Sequence, residues 1–253
     1  MRAPSLLGPA DPAPVEVVNG DSAHPLLLVC EHAGRAIPGA LGTLGVDTGD
    51  RDSHIGWDIG AAAVTRLMAE KLGAPAVLQP YSRLVIDCNR PPEAPDSVPE
   101  VSHGIPVPSN RDGALRAARI AEIFDPFNDA VTRFAARPGR RVLISVHSFT
   151  PVLAGVARPW EIGLLYRADA ATSGRMAALL SARRPSLVIG MNQPYDIDDL
   201  SDWFVPRHGE RTGLPHSLLE IRNDEIAAPE GQRAWAALLS DVMMDFIERG
   251  NGC

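Results

Sequence analysis

Four apolar runs in this 253-residue chain end on residues that can do chemistry. "PLLLVC" (25–30) runs into Glu31 and His32, and "RLVIDC" (83–88) carries Asp87 and leads to Asn89 and Arg90. "RVLISV" (141–146) leads to His147 and Ser148, and "HSLLEI" (216–221) holds Glu220 and leads to Arg222. Polar residues close strands anyway, but Lys or Ser would serve a plain surface equally well. Two imidazoles and a carboxylate are a donor set for one catalytic zinc ion, which takes three protein ligands and keeps a position open. The stretch "DRDSHIGWD" (50–58) offers the third ligand: Asp52 with His32 and His147 completes a two-histidine, one-carboxylate site. His54 is either a substitute ligand or the imidazole that supports Asp52, and Asp58, directly before a helix, reads as an N-cap.

A metal-bound water needs a base. Glu220 lies between Leu219 and Ile221, so it either faces water on an alternating strand or faces a site. Beside the metal it would take the proton of the water and give it to a leaving amine. Arginine suits a two-pronged grip on a carboxylate. The candidates are Arg83, Arg90 and Arg222; Arg90, beside the amide of Asn89, is best placed. Arg83 could contact the same substrate or polarise the scissile carbonyl, and Arg222 could instead pair with Asp224 or Glu220. The residues together suggest metal-assisted hydrolysis of an amide in a substrate that carries a carboxylate.

The elements that must position them are strands and helices in alternation. Further strand-length runs are "APAVLQ" (74–79), "EIGLLY" (161–166) and "SLVIG" (186–190). Several are continuous rather than alternating, as strands covered on both faces are. Helical spacing appears over 58–74, 112–136 (with Pro126 as a break or kink), 169–184 and 231–250. The pattern predicts an α/β fold, a three-layer αβα sandwich with a mostly parallel mixed sheet. In such sheets ligands bind at the carboxyl ends of the strands. Residues 1–253 read as a single catalytic domain, with 1–20 as a mobile arm and the proline-rich 90–110 as a functional loop.

Bulk properties narrow the class. Hydrophobic content of 45% and charged content of 22% are ordinary for a globular chain. A net charge of −7, with no Lys/Arg run longer than two, argues against a nucleic-acid partner. No apolar stretch approaches the ~20 residues of a membrane span. Cys30, Cys88 and Cys253 form no metal-spacing motif and no even disulfide set, so a cytoplasmic location is the expectation, with Cys30 and Cys88, at the ends of apolar runs, as buried free thiols.

Seven ordered blocks carry a resemblance. "EHAGRAIP", "DRDSHIGWD", "YSRLVIDCNRPP", "SVHSFTPVL", "RPWEIGLLY", "NQPY" and "LPHSLLEIRND", spanning about 25–225, are similar to the N-formylglutamate amidohydrolase family. That resemblance implies a zinc-exopeptidase-like fold, one Zn2+, a small-molecule N-acyl amino acid as substrate, and hydrolysis of N-formyl-L-glutamate to formate and L-glutamate. A more distant likeness to zinc carboxypeptidases implies roles. "SVHSFT" points to His147 as a ligand, "VIDCNR" to Asn89 and Arg90 as holders of the substrate carboxylate, and "LLEIRND" to Glu220 as the base. The stretch 201–216 lies where those enzymes place a mobile tyrosine; it contains none, and His208 or Arg211 stands there instead. It also departs in having Arg35, not glutamate, three residues after His32, while Asp50, Asp52 and His54 match the formylglutamate family's Asp-x-Asp-x-His stretch. Glu31, where that family often has proline, and "SHIGWD" in place of its usual "WHVD" mark a divergent branch. Two other readings follow: a zinc carboxypeptidase or amidase with a different substrate, or a catalytically inactive binding homologue. Retention of His32, Asp52, His147 and Glu220 together argues against the inactive form.

Overall fold

In the computed structural model, which describes residues 5–111 and 115–249, the continuous apolar runs form the middle of a seven-stranded mixed sheet. Its strands, in chain order, are β1 (Glu16–Val18), β2 (Leu26–Cys30), β3 (Ala76–Leu78), β4 (Val142–Phe149), β5 (Ile162–Leu165), β6 (Ile189–Met191) and β7 (His216–Arg222). They are ordered β1-β3-β2-β4-β7-β5-β6. β3, β2, β4 and β7 run parallel, while β1 and the β5–β6 pair run against them. Every residue of β2, β3 and β5 is buried, the burial pattern of strands covered on both faces.

The covers are helices. On one face α1 (Ala61–Leu72), α3 (Ala170–Arg183) and α4 (Pro229–Arg249) pack Val64, Met68, Met176, Leu180, Trp235 and Leu239 against alternate strand residues such as Leu28, Ile144 and Leu219. On the other face α2 (Asp125–Ala135) sets Phe127, Val131 and Phe134 over Leu27, Leu143 and Leu218. The architecture is therefore the three-layer αβα sandwich that the alternation of elements implied. No helix among the described residues is long and apolar enough to cross a membrane.

Two expectations need correction. The run 83–88 is apolar enough for a strand yet forms turns. Its backbone finds other partners: Asn110 Nδ2 donates to the Leu84 carbonyl at 2.9 Å, and the buried Arg119 donates to the Val85 carbonyl at 2.8 Å. With those carbonyls satisfied, Leu84, Val85 and Ile86 bury their side chains without a ladder. Residues 5–20 also do more than trail. β1 pairs with β3, Leu6 is buried, and Glu122 accepts the Leu6 and Leu7 amides at 2.8 and 2.9 Å. Pro126 lies inside a continuous helical run over 116–135, just after the wider turns of 120–124, so the irregularity expected at this proline is a local change of helical pitch and not a break. Residues 1–4 of the expected arm, 112–114 and 250–253, and with the last of these Cys253, lie outside the described residues; Cys30 and Cys88 are buried free thiols.

Candidate functional site

β4 and β7 are in register, with His147 beside Glu220 on adjacent parallel strands. Alternation along β7 points Leu219 and Ile221 to the three-helix face and Glu220, like Leu218, to the other. That face is not open water: Glu220 and His147 are both buried on the wall of a cavity of about 500 Å³ at the carboxyl ends of the parallel strands. His32 arrives two residues beyond β2, and its carbonyl accepts the Asp58 amide at 3.1 Å. This bond brings the entry to α1 against the end of β2.

His32, Asp58 and His147 converge as a result. Their Nδ1, Oδ2 and Nδ1 atoms lie 3.3 Å (His32–Asp58), 2.9 Å (His147–Asp58) and 3.1 Å (His32–His147) apart. All three residues are buried. Two ligands about 2.0–2.1 Å from one zinc ion at a tetrahedral angle are separated by roughly 3.3–3.4 Å, so the observed spacings fit a shared divalent cation. Each ring nitrogen facing away from this centre has its own carboxylate. His32 Nε2 lies 2.7 Å from Asp87 Oδ1, and His147 Nε2 lies 2.9 Å from Glu31 Oε2, which also accepts the Ser145 hydroxyl at 2.5 Å. Acceptors on both distal nitrogens place N–H there and turn both Nδ1 atoms to the centre.

The electrostatics agree. Burial alone would push the His147 imidazole down, but hydrogen bonds and charge from Asp58 and Glu31 together outweigh it and hold it well above its ordinary value. Burial likewise works against ionising Asp58, and the two histidines overcome it, keeping that carboxyl well below its usual range. A cation bound at this centre would supply the positive charge that these carboxylates favour on His147, so metal binding would be linked to proton release. Glu220 has the opposite environment. Burial pushes its carboxyl up to about 7, and its Oε2 is buried with no hydrogen-bond partner.

Asp52 lies outside this cluster. Its carboxylate is about half exposed and pairs at 2.9 Å with Arg35. Asp58 has the place expected for Asp52, and it caps nothing: the residue before α1 is Gly60, with no side-chain cap bond. Gly60 has φ +83°, and a Cβ there would lie 2.2 Å from the Ile226 carbonyl oxygen, so the turn that delivers Asp58 requires glycine. His54 is also apart, half-buried and edge-on to His103 at 5.1 Å between ring centroids.

Arg83, Asn89 and Arg90 do line the cavity. Arg83 donates to Asp87 at 2.7 Å and lies 3.5 Å from Asp58. Arg90 is held by Asp96 at 3.1 Å and by the Ser201 carbonyl. Asn89 is tied to the 202–204 segment: its Nδ2 donates to Asp202 at 2.7 Å and its Oδ1 accepts the Trp203 and Phe204 amides at 3.0 and 2.8 Å. His208 and Arg211 line a different cavity; burial pushes His208 down to about 4, and its Nε2 meets Asn128 at 2.8 Å. Arg222 turns to Asp224 and Glu225 at 2.8 and 3.1 Å, the alternative pairing with Asp224. Sequence reasoning assigned no role to Tyr195, read Asp58 as a cap, and named Glu31 and Asp87 at strand ends without a task. Glu31 precedes His32 directly and Asp87 stands two residues before Asn89, and that proximity in the motifs was the available signal.

Chemistry, not size, singles out this cavity. Another of about 440 Å³, at the amino ends of β4 and β7, is lined by Arg140, Arg141, Arg175, Leu214 and Phe246 among others, and includes no acid, imidazole or thiol.

Comparisons with known proteins bear on the family and the fold. The family model described as N-formylglutamate amidohydrolase matches residues 24–227. The crystal structure of gene product Atu2144 from Agrobacterium tumefaciens is similar at 38% identity with a TM-score of 0.87, over 97% of this chain and 99% of that one. The N-formylglutamate amidohydrolase from Ralstonia eutropha JMP134 shares the fold at 17% identity with a TM-score of 0.62, over 94% of this chain and 99% of that one. No curated protein matches. With a match over most of its length, the chain belongs to the N-formylglutamate amidohydrolase family.

Proposed function

We propose that the protein is a metal-dependent amidohydrolase that cleaves the amide of an N-formyl or other N-acyl amino acid bearing a carboxylate. N-formyl-L-glutamate, giving formate and L-glutamate, is the first candidate. The observation that carries this reading is a buried carboxylate with one unpartnered oxygen, Glu220, in the same cavity as the His32–Asp58–His147 cluster. A divalent ion held by that cluster, zinc by the donor set, would polarise the amide carbonyl and acidify a water.

The side chains then have distinct tasks. Glu220 takes the proton of the attacking water and passes it to the amine nitrogen as the C–N bond breaks. Arg83, pinned between Asp87 and Asp58, presents a fixed positive charge to the carbonyl oxygen as it gains charge. Asn89 holds the 202–204 segment as one wall, and Arg90 contributes positive charge to that side.

Elemental analysis of protein purified without chelator should find near one divalent ion per chain. A panel of N-formyl, N-acetyl and dipeptide substrates then tests the reaction: formyl-glutamate turnover supports this reading, dipeptide turnover alone a carboxypeptidase. No turnover together with no metal would leave an inactive homologue.

Glu31 and Asp87 give a separate test. Each orients one histidine through its distal nitrogen, and losing such a partner costs about 10–100-fold in metal affinity or activity. Glu31→Gln and Asp87→Asn should weaken metal binding by that factor in competition with a chromophoric chelator. Wild-type affinity in both variants would mean that the carboxylates do not orient the ligands.

A further inference from the structure

The arginines around the site differ in their partners. Arg83 faces Asp58 and Asp87, Arg90 faces Asp96, and Arg222 faces Asp224 and Glu225. Arg158, in the segment entering β5, makes no ion pair among the described residues, although only 8% of it is exposed. Its Nη1 donates to the Tyr195 hydroxyl at 3.0 Å. Its guanidinium also lies 4.9 Å from the Tyr195 ring centroid and 5.8 Å from that of Phe149, two residues beyond His147. Aromatic faces attract a cation without neutralising it. A buried guanidinium with no counter-charge is costly, and an anion brought alongside offsets that cost.

Tyr195 connects this charge to the site. Arg158 is not on the cavity wall, but Tyr195 is, together with His147, Glu220 and Arg83, and 40% of Tyr195 is exposed. Because the phenol oxygen accepts from Arg158, the phenol hydrogen is free to donate elsewhere. Gly163 opposite Glu220 leaves room for the chain that carries this residue: a Cβ there would fall 1.8 Å from the Gln193 carbonyl oxygen. Arg83 and Arg158 both act on His103 from this side, their charges adding to burial in disfavouring its protonated form, while the acids of the same lining are Asp58, Asp196, Asp202 and Glu220.

We infer that the Tyr195 hydroxyl, held and polarised by Arg158, binds the carboxylate of the substrate, with Arg158 supplying the charge that recognises it. Arg158 is thus a positioning residue and Tyr195 a contact residue. Arg90, expected from its motif to be the anchor, is already held by Asp96 and the Ser201 carbonyl. The inference deepens the amidohydrolase reading and rests on its carboxylate-bearing substrate.

The test uses metal-loaded, full-length protein and two probes that are not N-acyl amino acids, glutarate and its diamide, with binding followed by calorimetry. Wild type should bind glutarate more tightly than the diamide. Tyr195→Phe and Arg158→Met should weaken glutarate binding roughly ten- to a hundredfold, the scale of a charge-assisted hydrogen bond, and leave diamide binding unchanged. Arg158→Lys should recover part of the loss, and in turnover of N-formyl-L-glutamate the defect should sit in KM more than in kcat. Tyr195→Phe keeps the ring and tests the idea even if Arg158→Met folds poorly. Wild-type glutarate affinity in Tyr195→Phe, or equal losses on both probes, would overturn the assignment. Turnover measured in parallel separates the two readings. Selective glutarate binding without any turnover would sink the amidohydrolase and spare the anchor, and turnover with Tyr195→Phe unaffected would do the reverse.

Discussion

Asp58→Ala is expected to remove the bound metal and with it nearly all activity, whereas Asp52→Ala should leave both close to wild type. Asp58 Oδ2 converges with two imidazole nitrogens as the third atom of a possible metal site, and all three residues are buried. Loss of a donor should exceed the roughly 10–100-fold cost of disturbing a group behind one. Asp52 offers an exposed carboxylate to Arg35, and exposed pairs contribute about 0–1 kcal/mol. The same substitution should show in stability without metal. Asp58 is the counter-charge of His147 and a neighbour of Arg83, and removing one partner from a buried ionic cluster costs about 3–5 kcal/mol. Metal stoichiometry and thermal melting in chelator are the measurements, with Asp58→Asn as the shape-preserving control. One ion per chain and full turnover in Asp58→Asn, or metal loss in Asp52→Ala, would refute the assignment of the third ligand.

Glu220→Gln should lower kcat by at least about a hundredfold while the metal stays bound, because it keeps the shape and removes the proton acceptor. The variant has a second, pH-dependent signature. In metal-free protein burial raises the Glu220 carboxyl from its ordinary 4.5 to about 7. Its neutral form is therefore favoured by folding, a contribution fully present below about pH 4.5 and lost as pH rises through about 7. The loss amounts to about 3 kcal/mol. Glutamine cannot ionise, so Glu220→Gln in chelator should melt above wild type at pH 8 and lose that advantage towards pH 4.5. Bound metal, by placing a cation beside Glu220, should shrink the difference. A variant that turns over normally would remove Glu220 from the mechanism, and a melting difference that does not change with pH would contradict its raised ionisation.

By itself the sequence determined the layers and the carriers of chemistry. Continuous apolar runs separated by helical spacing require a sheet covered on both faces, and His147 and Glu220 follow from their places on β4 and β7, because alternation along a strand is local geometry. Seven ordered blocks also pointed to one family, and the family model matches residues 24–227. Only the tertiary structure decided which acid joins the histidines. Asp52 and Asp58 stand in one short stretch, and local rules favour the wrong one: an aspartate just before a helix looks like a cap. The choice is made by the Asp58 amide bonding to the His32 carbonyl and by the Gly60 turn under Ile226, contacts that no spacing encodes. The run 83–88 was misread for a related reason, since Asn110 and Arg119 satisfy carbonyls that a neighbouring strand would otherwise bind. The Arg158–Tyr195 pair joins residues 37 apart, and nothing in either motif marks the other. Periodicity reports which face a side chain takes, but convergence on one point depends on how distant backbones satisfy one another's polar groups, and that is settled only when the chain closes on itself.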